Sequence, residues 1–207
     1  KDVRMGQGGS GTEENAFRVR LAEAEDQERW LPLLLDAYAV LDAGLERAVA
    51  ASGRRPACRA GCQACCHQPI PASSLEVLGL TWYVIAQCRG LTRRLLRRQL
   101  RDGGSGPACP FLVEGHCAGY ALRPMACREF VVFGRTCRLG EEPHRIRPGD
   151  MLPLPIESQR AAFRHMLPYY GLTAPEMCEA ALRDRLVLRD TALLQGRDWS
   201  WLARCLI

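Results

Sequence analysis

Apolar residues recur at spacings of three and four through residues 13–51, with one break, which predicts helical structure there. Leu34, Tyr38, Leu41, Leu45 and Val49 share one face of the second helix. Pro32 suits its first turn, where a missing N–H leaves nothing unpaired, and Gly53 and Pro56 end it. Ser73 and Glu76 have the spacing of a capping box, and the helix they open is expected to present Leu78, Trp82 and Ile85 on one face. A second amphipathic helix follows, with Leu91, Leu95, Leu96 and Leu100 opposed by Arg93, Arg94, Arg97, Arg98 and Arg101.

Between these helices the periodicity fails. Residues 58–71 read as a cysteine-rich loop, and residues 102–107, rich in glycine, read as another. Residues 109–137 carry short apolar runs cut by glycine and proline, the pattern of loops with one hairpin, and residues 138–155 are proline-rich and irregular. Helical periodicity returns over 157–170 and 173–194, the latter opened by Thr173, Pro175 and Glu176. No internal repeat is evident. The fold class is mainly α, a helical domain around an irregular cysteine-rich metal-binding core. Residues 1–12, rich in glycine, are read as a flexible leader and 13–207 as a single domain.

Composition narrows the function classes. Hydrophobic residues make up 47% and charged residues 25%, ordinary for a globular chain. No apolar run approaches the ~20 residues of a membrane span, and no secretory signal is visible, so a cytoplasmic location is expected. The net charge is +5, and every basic residue but Lys1 is arginine. That bias alone does not predict a nucleic-acid partner. The arginine face over 93–101 would suit an acidic protein partner, although such faces are usually just solvated.

Cysteine is the departure from the ordinary. The chain has eleven, and nine of them fall from Cys58 to Cys137, eight clustered in its irregular stretches and Cys88 on a predicted helix. An odd count in a long chain without an export signal favours thiolates that bind metal over thiols that pair. Cys58, Cys62, Cys65 and Cys66 lie within nine residues, and four ionised thiols so close together repel one another unless a cation takes up the charge. Adjacent cysteines rarely join each other, so Cys65 and Cys66 are expected to diverge and to serve different metal atoms, or one to ligate and the other to pack. The second group, Cys109, Cys117 and Cys127, is separated from Cys66 by mostly helical sequence, so the fold must bring the halves together. Arg123 and Arg128 flank Cys127 and would offset thiolate charge, with Tyr120 and Phe130 as a packing shell.

His67 and His116 adjoin cysteines and could replace a thiolate, but the cysteines suffice without them. Cys88, Cys178 and Cys205 lie among apolar residues on predicted helices and are expected to pack in the core. Cys58, Cys62 and Cys65 also spell C-x3-C-x2-C, the spacing of radical S-adenosylmethionine enzymes. Cys66 follows at once, the α/β barrel pattern is absent and the chain is short for one, so this match is read as coincidental.

The order C-x3-C-x2-C-C, then C-P-F-L, then C-x2-Y, then R-P-x2-C-R-x-F resembles the YkgJ-type cysteine-cluster family, described as zinc- or iron-chelating. Its motifs are also similar to those of flagellin lysine N-methylases. The resemblance spans residues 58–130, about a third of the chain. It implies ligation by Cys58, Cys62, Cys65, Cys66, Cys109, Cys117 and Cys127, and Cys137 is the candidate for the family's eighth cysteine. The first spacing is three residues here, where many relatives have two. The resulting expectation is a metal-binding protein holding zinc, iron or an iron–sulfur cluster, with a structural, redox or metal-handling role. Two other readings stay open: an S-adenosylmethionine-dependent protein lysine methyltransferase carrying the same cluster, and an adaptor that binds an acidic partner through its arginine-rich helix.

Overall fold

The protein is described by a computed structural model, which covers residues 28–59, 61–103 and 106–206. The expected leader and the first part of the N-terminal helical segment lie outside the described residues. Helix α1 (Leu31–Ser52) buries Leu31, Leu34, Ala37, Tyr38, Leu41 and Leu45, with Val49 partly covered, and so follows the predicted stripe. It ends on Gly53, whose left-handed φ of 63° lets its N–H turn back to Ala50 O.

Strand β1 (Pro71–Ala72) leads into α2 (Ser74–Gln87). The capping box forms as expected: Glu76 N donates to Ser73 Oγ, and Ser73 N and Oγ both donate to Glu76 Oε2. Of the expected apolar face, Leu78 and Trp82 are only half-buried. Leu75, Leu80 and Val84 are buried and Ile85 is exposed, because two cores flank this helix and turn its apolar stripe. Helix α3 (Gly90–Arg101) buries Leu96 and Leu100, leaves Leu91 in solvent, and carries Arg94, Arg97, Arg98 and Arg101 outward. Arg93 instead donates to Ile85 O and Cys88 O, carbonyls left open at the end of α2.

Strands β2 (Leu112–Val113) and β3 (His116–Cys117) form the one expected hairpin, with Leu112 opposite Cys117. Glu114 and Gly115 both take positive φ, 49° and 78°, as a two-residue turn of the right hand requires. After it come α4 (Met125–Glu129), α5 (Pro143–Ile146) and α6 (Ile156–Met166). The last expected helix, 173–194, is not continuous. Helix α7 (Pro175–Arg183) stops, Arg185 turns left-handed at φ 54°, and α8 (Leu186–Arg189) follows. Strand β4 (Ala192–Leu193) then pairs antiparallel with β1, and α9 (Ser200–Cys205) closes the described chain. The fold is mainly helical, and among the described residues no helix is long and apolar enough to cross a membrane.

Two apolar cores result. The first joins α1 to α6 and α7 through Leu34, Leu41, Ala162, Met166 and Ala181. Helices α1 and α6 meet so closely at Gly44 that a Cβ there would collide with the Ser158 side chain. Gly44→Ala should therefore destabilise the chain by about 1–3 kcal/mol despite alanine's better helix propensity. Ser158→Gly in the same chain should recover much of the loss, as read by urea unfolding. The second core joins α2, α3 and α9 through Leu80, Val84, Leu96, Leu100 and Leu202, with Phe111 edge-on to Trp199 at 4.9 Å between ring centroids. Cys109 is buried in this second core, with Cys66 and Cys127 packed against it.

Candidate metal centre

Each expected ligand reaches the site by a different local device. Cys62 and Cys66 are set by tight turns, Cys62 N donating to Arg59 O and Cys66 N to Gln63 O, and residues Ala64–His67 form one turn of 3-10 helix. Cys109 N donates to Cys66 O at 2.7 Å, so the two distant halves of the motif are stitched together through backbone. Leu112 N donates to Cys109 O, and after the hairpin Ala118 N returns to Phe111 O, which folds Cys117 back over Cys109. Cys127 rides on α4. Its first N–H, from Met125, donates to Glu76 Oε1 at 2.7 Å, so the capping carboxylate of α2 also anchors the helix carrying Cys127.

The remaining thiols sit nearer the surface. Ala57 N donates to Val132 O, and Pro56 bridges Phe133, which lays the Cys58 segment along the strip after α4. Cys58 itself is exposed, and its Sγ lies 3.8 Å from Phe130 O. Cys137 is gripped from outside the motif, because Arg147 Nη2 donates to its Sγ at 3.2 Å and Nη1 of the same guanidinium donates to Phe133 O. Arg147 is held in turn by Glu141, only 8% exposed, which also accepts from Arg135 and from Arg138 N. These donors, the Arg135 guanidinium first, pull the Glu141 carboxyl down to about 2, so it is charged at neutral pH. Glu141→Ala should free Arg147 and loosen Cys137, raising its alkylation rate several-fold by mass spectrometry while leaving Cys109 unchanged.

The electrostatics favour a cation. Burial pushes the Cys109 thiol up to about 12, and the charges of Cys117 and Cys65 push in the same direction. Burial likewise raises Cys127, followed by Cys109, Cys117 and Cys65, while Arg123 works against these. Cys65 and Cys66 share a hydrogen bond between their thiols, which lowers Cys65 and raises Cys66. All eight are free thiols. Buried thiols such as Cys109 and Cys127 hold their protons against their neighbours' charge, and a thiophilic cation would relieve that cost. The donor set thus fits zinc or iron. Among the described residues no three Cys, His, Asp or Glu side chains already stand together as an ion site, so closing a centre would need these thiols to turn toward one another.

Several expectations change. Arg128 does not face the cysteines. It is buried over the Tyr38 ring, with its guanidinium carbon 3.9 Å from the centroid, and is paired with Asp42 and with the carbonyls of Ala121 and Arg123. A desolvated guanidinium needs such partners, and α1 supplies them. Arg123 is the arginine whose charge reaches the thiols of Cys65, Cys117 and Cys127. Tyr120 is not part of a dry shell. It is 39% exposed beneath the Arg123 guanidinium. His116 is exposed and its Nδ1 lies 2.9 Å from Glu114 O, within its own hairpin. Cys88 and Cys178 are buried as expected, but Cys205 is exposed at the end of α9. Arg147 and Glu141 were invisible as site residues, since nothing local links them to Cys137.

Residues 57–145 match the family model CxxCxxCC, described as "Putative zinc- or iron-chelating domain". Over that stretch, less than half of its length, the chain is similar to this family. All eight clustered cysteines fall inside that match, as do Arg123 and Glu141, while Arg147 lies just beyond it. No curated protein and no solved structure matches the chain.

Proposed function

We propose that this protein holds zinc or iron through the thiolates of Cys58, Cys62, Cys65, Cys66, Cys109, Cys117, Cys127 and Cys137, and that the metal organises the cysteine-bearing half of the fold. The observation that carries this reading is the backbone bond from Cys109 N to Cys66 O. It joins two thiol-rich segments that share no local motif and whose own regular structure amounts to short turns, a hairpin of two-residue strands and one short helix, with α2 and α3 lying between them. Such segments have little hydrogen-bonded framework of their own, and metal–thiolate bonds would supply the missing constraint.

Within this reading the protein contributes specific parts. Glu76 fixes the start of α4 and so places Cys127, the hairpin returns Cys117, and Arg123 and Arg147 offset thiolate charge. The metal supplies charge neutralisation and crosslinking when bound.

Metal analysis of the full chain, purified anaerobically under reducing conditions, together with its visible spectrum, tests the reading. Stoichiometric metal is expected. A colourless protein with bound zinc places it among structural thiolate sites, whereas broad absorption from thiolate–iron charge transfer identifies an iron–sulfur cluster. A chain free of both metals, and unable to take up either when reduced, would refute the reading.

A further inference from the structure

We propose that the outward face of α3 docks an acidic amphipathic segment of a protein partner, with Arg94, Arg97, Arg98 and Arg101 taking its carboxylates and Leu91 its apolar anchor. The inference stands apart from the metal reading above and does not depend on it.

The inner side of the helix is fixed by packing and hydrogen bonds. Leu96 and Leu100 are buried in the second core. Gln99 Nε2 donates to Pro110 O and Leu112 O, and Arg93 donates to the carbonyls at the end of α2. Leu91, Arg94, Arg98 and Arg101 recur at steps of three and four, so they form one stripe on the opposite side, with Arg97 beside it. All five are exposed, and the stripe spans about 15 Å. A helix held this firmly presents its charges in a set order before any partner arrives.

This face lacks what arginine pairs elsewhere in the molecule have. Arg160 and Arg164 share Glu179, Arg135 and Arg147 share Glu141, and Arg54 and Arg147 share Asp150. Helix α3 contains no acidic residue. Among the described residues, the one carboxylate paired with its outer arginines is Asp102, just past the helix end, which meets Arg101 at 3.1 Å. Arg94 lies four residues from Arg98, and Arg97 four from Arg101, so like charges are left facing each other. Carboxylates from outside would relieve that repulsion, and each guanidinium can hold one by two parallel hydrogen bonds.

The chemistry of the face favours a peptide over a membrane or a nucleic acid. A helix lying on lipid needs a free apolar side, and here that side is Leu96 and Leu100, already buried. Single strands are held by bases stacked on aromatic rings, and α3 has none. Leu91, 58% exposed at one end of the stripe, asks for an apolar side chain that a sugar–phosphate backbone does not offer. A partner helix with one apolar residue and carboxylates at three- and four-residue steps repeats the spacing of the stripe.

Fluorescence anisotropy on the full-length reduced protein tests this with two labelled helical peptides. Each carries one Leu, with Glu three, seven and ten residues after it in the first peptide and before it in the second. A permuted peptide of the same composition, single-stranded oligothymidine and phosphatidylserine vesicles are run beside them. One of the two matched peptides should bind best, and added salt should weaken it. Arg94→Glu with Arg98→Glu should reduce its affinity roughly tenfold at unchanged helicity, and Leu91→Ser should reduce it by about threefold. Arg183→Glu with Arg189→Glu, the same charge change over α7 and α8, should leave it within about twofold of wild type. If the first double variant fails to fold, Arg94→Gln with Arg98→Gln should still weaken binding more than that control does. The proposal is overturned if neither matched peptide outbinds the permuted one, or if the control variant loses as much affinity as the α3 variant. Tighter binding of oligothymidine or of vesicles than of either peptide overturns it as well.

Discussion

Stripping the metal from the reduced protein should unfold the cysteine-bearing half while the α1–α6 core persists. Structural zinc at thiolate sites contributes an apparent ~10–16 kcal/mol, as large as the whole stability of an ordinary domain, about 5–15 kcal/mol. The two cores are not equally exposed to that loss. The first contains none of the eight clustered cysteines and rests on Leu34, Leu41, Met166 and their neighbours. The second takes Cys109 into its interior and packs Cys66 and Cys127 against itself. Hydrogen exchange before and after chelation should show protection lost over residues 57–137 and retained in α1 and α6. Uniform loss, or none, would contradict the assignment of the metal to one half of the fold.

Glu76→Ala is the point substitution outside the cysteines with the largest expected cost, about 3 kcal/mol, read by urea unfolding of the loaded protein. One carboxylate serves two helices. Its Oε2 accepts both Ser73 N and Ser73 Oγ at the start of α2, and its Oε1 accepts Met125 N at the start of α4. Burial pushes the Glu76 carboxyl up, yet those three donors and the nearby Arg128 charge act to keep it ionised. Removing it leaves buried N–H groups unsatisfied and releases the helix that carries Cys127. Glu76→Gln should recover little, because the amide NH2 would face an N–H donor on one side or the other. Both variants should lose metal to a chelator faster than wild type, whereas Cys205→Ser, at the exposed end of α9, should not.

The pattern of the sequence shows some of this and hides the rest for definable reasons. The α1 stripe and the Ser73–Glu76 box were legible because both depend on residues a few positions apart. The face of α2 was not, since which side of a helix is buried depends on where its two neighbouring cores lie, and periodicity alone sees one. The break at Arg185 was hidden because the apolar pattern continues through it while β4 is drawn away to pair with β1. In the site, the cysteine spacing and the Arg123-Pro124 pair were enough to suggest the domain that the family match then gave. The role of Arg128 was misjudged because sequence adjacency to Cys127 says nothing about direction. On α4 it points to Asp42 and Tyr38 on α1 instead. Arg147 and Glu141 lie in a stretch that reads only as irregular, and only the fold reveals their grip on Cys137.

The central claim is that these eight thiols hold the metal, and alkylation mapped by mass spectrometry tests it most directly. The loaded, reduced chain is treated with a thiol reagent under native conditions, with and without prior chelation, and each cysteine is scored separately. Cys58, Cys62, Cys65, Cys66, Cys109, Cys117, Cys127 and Cys137 should be protected before chelation and labelled after it, while exposed Cys205 labels in both cases. Labelling of the eight that is the same with and without metal would contradict the account.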